Sequence, residues 1–105
     1  MERRWAKRVD VDLPVRLELR DGRHESGRMR NASISGALIE CAVELPVFTP
    51  LAVFITEGRI RLPEPVRLAA RVVRSEHPCV GVEWRDLASQ ELVDLLHGSN
   101  GGAQR

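Results

Sequence analysis

The chain has 105 residues, 43% hydrophobic and 30% charged, with a formal net charge of +1. That fits one domain of ordinary soluble composition, and so balanced a charge excludes binding to nucleic acid or membrane by bulk attraction. The basic residues are 15 arginines and one lysine, Lys7. Arginine favours planar, bidentate contacts, although genomic base composition explains such a bias equally well. Cys41 and Cys79 lack the spacing of a redox or zinc motif and read as small buried side chains. Met1 is followed by charges rather than a signal peptide, and no apolar run approaches the roughly 20 residues of a membrane span. The expected location is cytoplasmic.

In chain order, Val11, Leu13, Val15, Leu17 and Leu19 alternate with polar residues, the pattern of a strand with one wet face. Pro14 implies an edge position or a bulge there. Asp21-Gly22 predicts a hairpin turn, followed by a second strand from about Ser26 to Ser33 and a third from Gly36 to Cys41. The stretch Ala42–Pro50 holds two prolines and no period, so it reads as a loop. Leu51–Thr56 reads as a buried strand, Glu57-Gly58-Arg59 as a turn, and Val66–Arg74 as another alternating strand. After Ser75–Pro78 comes a sixth strand with Val80, Val82 and Trp84 on one face. Six strands at these spacings predict a mainly β fold, a six-stranded antiparallel barrel. Leu92, Val93, Leu95 and Leu96 then have helical spacing, with Ser89 or Asp86 to cap the start and Gly98 to end it. So short a helix is marginal alone and must lie on the barrel. The expected boundaries are a flexible arm at 1–10, the barrel plus C-terminal α-helix at 11–97, and a flexible tail at 98–105.

Enzymatic motifs are missing. His24, His77 and His97 fall in separate elements, Ser33 and Ser35 are in no nucleophile elbow, and the chain has no P-loop or dinucleotide fingerprint. We therefore expect no catalysis, no metal and no cofactor. Two stretches suit binding instead. The first is the N-terminal arm, where Arg3, Arg4, Lys7 and Arg8 fall within six positions. It reads either as a solvated basic tail or as a pair of guanidinium forks able to grip phosphate oxygens and the outer edge of guanine. The second is Asn31-Ala32-Ser33-Ile34-Ser35-Gly36. Its residues are common in turns. In an extended chain, however, Asn31 and Ser33 share a face and offer an amide and a hydroxyl, and Gly36 permits a bend or a close approach. Arg28 and Arg30 next to it add positive potential.

Taken together, Arg4-x-x-x-Arg8 and Asn31-x-Ser33-x-x-Gly36 resemble the two signature motifs of the PilZ domain family, in the right order over roughly residues 2–97. The final strand running into the helix fits as well. The resemblance implies a receptor for cyclic di-GMP. Arg4 and Arg8 would hold its phosphates and guanine edges, Asn31 would bond a guanine, Ser33 would meet phosphate or guanine, and Gly36 would leave room for a base. Arg3, just before the first motif, would favour two intercalated ligand molecules per site. Trp5, inside the variable part of the first motif, would either pack the arm on the barrel or stack on a base or cation. With no second domain in view, the expected protein is an adaptor whose liganded surface is read by a partner protein, in motility, biofilm formation or related bacterial signalling. One rival is a nucleotide-independent interaction module of a pilus or flagellar system. Another is an RNA-binding barrel, disfavoured because two of Trp5, Phe48, Phe54 and Trp84 read as core.

Overall fold

The computed structural model describes residues 8–55 and 66–93. Its strands are β1 (Val9–Leu19), β2 (His24–Ala32), β3 (Gly36–Cys41), β4 (Pro50–Ile55), β5 (Val66–Glu76) and β6 (Cys79–Trp84). They close into an antiparallel barrel in the order β1-β2-β3-β6-β5-β4. Closure follows from the alternation in β1. Val11, Leu13, Val15, Leu17 and Leu19 all point inward and are buried, and Leu17 and Leu19 pair with Val53 and Leu51 of β4 to complete the ring. Val72, Val80, Val82 and Trp84 fill the opposite wall. A closed ring leaves no sheet edge to be protected.

The turns explain where strands start and stop. Gly22 takes a positive φ of 95°, a conformation that suits glycine, and its amide donates to the Leu19 carbonyl at 2.9 Å. The Asp21 carboxylate accepts from the Arg23 amide at 3.0 Å and from its guanidinium at 2.9 Å. The amide bond chiefly holds that carboxyl below its ordinary range, against the opposing effect of desolvation. β1 carries a register slip between Asp10 and Leu13, and Pro14 lies just beyond it. The β1–β4 ladder covers only Arg16 to Leu19, so Pro14 lies past its end.

Several expected boundaries move. β2 begins at His24 and stops at Ala32, one residue before Ser33, because the Ser33 amide turns back to the Gly36 carbonyl at 2.8 Å. β5 continues to Glu76, which pairs with Cys79 across a two-residue turn. The helix starts at Gln90, and Ser89 is its cap: the Ser89 hydroxyl accepts from the Leu92 amide at 3.0 Å. Ala88 and Val93 join the core, so the described part of this segment does lie on the barrel. The arm at Arg3, Arg4, Trp5 and Lys7, the turn at Glu57-Gly58-Arg59, Thr56, Leu95, Leu96, His97, Gly98 and the tail lie outside the described residues.

Two side-chain expectations change. Cys41 is buried, and burial pushes its thiol pKa up, but Cys79 is only partly buried. Of the aromatic residues described, only Trp84 is in the core. Phe54 faces outward between the guanidinium groups of Arg16 and Arg67, at 4.9 and 5.9 Å from its ring centre, and Phe48 is 70% exposed.

Leu17 is fully buried at the seam where β1 meets β4. Leu17→Ala is expected to destabilise the barrel by about 2–5 kcal/mol, whereas Leu87→Ala, at an exposed site, stays within about 0.5 kcal/mol. Urea denaturation checks both, and equal midpoints for the two variants would contradict this packing.

Candidate functional site

The candidate site begins with a bulge. The β2–β3 register slips between Met29 and Asn31, inserting Arg30 as an extra residue. Met29 and Ala32 therefore both face the core although they are three apart, and Asn31 comes to the outer face, half-buried. Re-aiming a side chain is a common use of a bulge. On that face Asn31 lies opposite Asp10 of β1 and Leu38 of β3.

Arg8 immediately precedes β1 and reaches Asn31. Its Nη1 donates to Asn31 Oδ1 at 2.7 Å. Arginine can only donate, so the amide oxygen must face it, which leaves Asn31 Nδ2 without a partner among the described residues. The two sequence motifs, 23 residues apart, thus meet through one hydrogen bond. Arg8 meets no carboxylate among the described residues, so its charge is uncompensated there.

The neighbouring arginines behave differently from expectation. Arg28 and Arg30 both reach Asp12 Oδ1, at 2.9 and 3.2 Å, and Arg30 also meets Glu40 at 3.3 Å. Their positive potential is largely offset on the spot. These pairs are exposed, and such contacts add little stability. Among the described residues this leaves Arg8 as the cation beside Asn31 that meets no carboxylate.

Ser33 does not share the face of Asn31. The strand has ended, alternation no longer applies, and Ser33 is only 1% exposed. Its hydroxyl accepts from the Ser35 amide at 3.1 Å and lies 3.1 Å from the Ser35 hydroxyl, a local turn of the kind serine favours. The carbonyls of this turn are bonded to Trp84, the last residue of β6, and to Ala88 beyond it. Ser33 accepts from the Trp84 indole at 3.0 Å. Ser35 accepts from the Trp84 amide at 3.0 Å and Ile34 from the Ala88 amide at 2.9 Å.

Gly36 also has a different role in this structure. A Cβ there would collide with the backbone carbonyl oxygen of Val82, so the missing side chain lets β3 lie close against β6. Ser33 and Gly36 therefore shape the turn that follows Asn31. Sequence reasoning missed Trp84 as the partner of this turn. The available signal was that a buried indole N–H needs an acceptor.

The family model described as PilZ domain matches residues 2–98. No curated protein matches the sequence. Among solved structures, the PilZ domain of CeSA from a cellulose-synthesizing bacterium superposes with a TM-score of 0.64 at 18% identity, covering 95% of this chain and all of that one. The Bacillus subtilis inhibitor of motility MotI/DgrA gives 0.70 at 18% identity over 94% of this chain and 50% of its own. The PilZ domain of YcgR from Escherichia coli, solved with c-di-GMP, gives 0.65 at 13% identity over 90% of this chain and 86% of its own. At such identities the likeness concerns the fold.

Two substitutions test the turn. Gly36→Ala overpacks the β3–β6 contact and is expected to cost about 1–3 kcal/mol. Trp84→Phe strands the buried Ser33 carbonyl at a cost of about 1–3 kcal/mol. Thermal or urea melts measure both, and a wild-type midpoint in either variant would contradict the structural role given to this turn.

Proposed function

The chain belongs to the PilZ domain family, and from that premise we propose that it is a receptor for cyclic di-GMP acting as an adaptor on a partner protein. The observation that carries this reading is the 2.7 Å bond between Arg8 and Asn31. It joins the residue that closes the first motif to the residue that opens the second, on one outer face of the barrel. The PilZ domain of YcgR, with the same fold, holds c-di-GMP, and MotI is an inhibitor of motility. Control of motility, biofilm formation or a related bacterial process is the setting we propose.

The chemistry follows from the two side chains. A cyclic dinucleotide brings two phosphate charges. The Arg8 guanidinium exchanges a neutral amide oxygen for a phosphate oxygen or a guanine edge, a stronger, charge-assisted contact. Releasing Arg8 frees the Asn31 carbonyl to join Nδ2 in bonding a guanine, since a carboxamide both donates and accepts. Arg4 adds the second guanidinium, and Arg3 favours two stacked ligand molecules. Ser33 and Gly36 act beneath the ligand, holding the turn that fixes Asn31. Drawing the arm onto the barrel changes the surface a partner meets, a shift of population toward one shape. Nothing in this scheme calls for a cofactor or a catalytic step.

Isothermal titration with cyclic di-GMP is expected to saturate at two molecules per chain and to weaken as salt screens the exposed contacts. Arg8→Ala is expected to lose about 1–3 kcal/mol, roughly a tenfold to hundredfold drop in affinity, with an unchanged melting temperature in the absence of ligand. Equal affinities would remove Arg8 from the site. No heat at all with the wild-type protein would favour the nucleotide-independent module.

A further inference from the structure

The barrel carries a second feature, on the side away from Asn31. In the ring order, β4 and β5 lie across the barrel from β3 and β2. Their outward residues form a grid fixed by register. Phe54 sits between Arg16 and Arg67, Ala52 between Glu18 and Ala69, and Pro50 beside Arg71, which in turn faces Glu83. The middle row of this grid has alanine on both β4 and β5, with Ala52 covered by its neighbours at 3% exposure and Ala69 half-buried. A hollow of about 380 Å³ lies over Ala52 and Ala69, walled by Glu18, Arg20, Arg67 and Arg85. A second, of about 570 Å³, shares Pro50 and Arg85 with it and extends to Phe48 and Arg71. Together they form one trough. On β4 the trough is lined by Pro50, Leu51 and Ala52, and it extends past the start of the strand to Phe48.

The trough is unequally charged. Its walls carry Arg20, Arg67, Arg71 and Arg85 against Glu18 and Glu83. Both acids are already engaged, Glu18 with Arg67 and His24 and Glu83 with Arg71. Arg20 and Arg85 meet no carboxylate among the described residues. At one end stands Phe48, 70% exposed and beneath the Arg71 guanidinium. It has φ 79°, a left-handed conformation rare for an aromatic residue. That costs about 1–3 kcal/mol and tends to persist at functional sites. Short bonds hold it there: its amide donates to the Val72 carbonyl at 2.6 Å, and the Val72 amide donates to Thr49 at 2.9 Å. The backbone thus presents a large apolar side chain to solvent at the mouth of a basic, alanine-floored trough.

We propose that this trough is a docking surface for a short, extended acidic segment of a partner protein. The segment's carboxylates meet Arg20 and Arg85, a small side chain lies over Ala69, and an apolar residue covers Phe48. Charge complementarity selects the occupant. A nucleic-acid strand is disfavoured, because stacking needs an open ring face and the Arg71 guanidinium already lies over Phe48, the aromatic ring of the trough, 5.8 Å from its centre. The inference rests on the adaptor reading for its use in signalling but not for its geometry, since the trough and Asn31 lie on opposite walls.

The test is a nitrogen-15 NMR titration of the full chain with three capped pentapeptides alternating alanine with glutamate, glutamine or lysine, up to several millimolar. The glutamate peptide is expected to shift the amides of Ala52, Ala69 and Phe48 saturably, with the other two inert. Ala69→Glu, which fills the trough, and Arg85→Glu, at an exposed side chain, should each weaken that response roughly tenfold or more. Both variants should keep the wild-type isotherm with cyclic di-GMP, so that loss of peptide binding and loss of nucleotide binding are read separately. No shift at these amides, or equal shifts with all three peptides, would overturn the proposal. So would stronger shifts at the same amides with a thymidine decanucleotide, or a dimer in sedimentation that Arg85→Glu dissolves.

Discussion

The site depends on a close approach of two backbones. Gly36 has no side chain, so β3 can lie against the Val82 carbonyl of β6, and the preceding turn comes within reach of the Trp84 indole and the amides of Trp84 and Ala88. Every carbonyl from Ser33 to Ser35 is thereby satisfied by groups on the far side of the β3–β6 seam. Buried polar groups must be paired, and here the pairing also fixes where β2 ends. Asn31 is two residues before that turn, and the bulge at Arg30 sets which way it faces. The position of one amide on the outer wall is thus set by the packing of the barrel.

Electrostatics completes the arrangement. Asp12 and Glu40 absorb the charge of Arg28 and Arg30, whereas among the described residues Arg8 is partnered by the neutral Asn31 amide. On the proposed reading a dianionic ligand would meet a guanidinium, paired with no carboxylate among the described residues, already resting on the residue that would read a base. Pre-positioning of this kind lowers the ordering cost of binding. Across the barrel, Arg20 and Arg85 repeat the theme, arginines that meet no carboxylate among the described residues beside a shallow trough, on a wall that a bound nucleotide would leave open.

Much of this was legible in the sequence because it depends on local pattern. The alternation from Val11 to Leu19 gave β1 and its inward face, Gly36–Cys41 was read with the bounds of β3, and both motifs stand in plain view. What stayed hidden depends on contacts between distant residues. Alternation placed Ser33 beside Asn31 on the outer face, yet a bulge and a strand end intervene, and Ser33 is buried. Gly36 reads locally as room for a ligand, and only the path of β6 shows that a side chain there would meet the Val82 carbonyl. The ion pairs of Arg28 and Arg30 depend on Asp12 and Glu40, which neighbour them only through strand register. Phe54 looks like core in a strand rich in apolar residues, but its parity with Pro50 and Ala52 turns it outward.

The most direct test of the central claim is to follow side-chain resonances while cyclic di-GMP is added to nitrogen-15-labelled protein. The Arg8 guanidinium Nε and the Asn31 carboxamide should move together and saturate at the same ligand concentration, as their mutual bond is exchanged for bonds to the nucleotide. A ligand that binds while both signals stay where they were in the free protein would contradict the account.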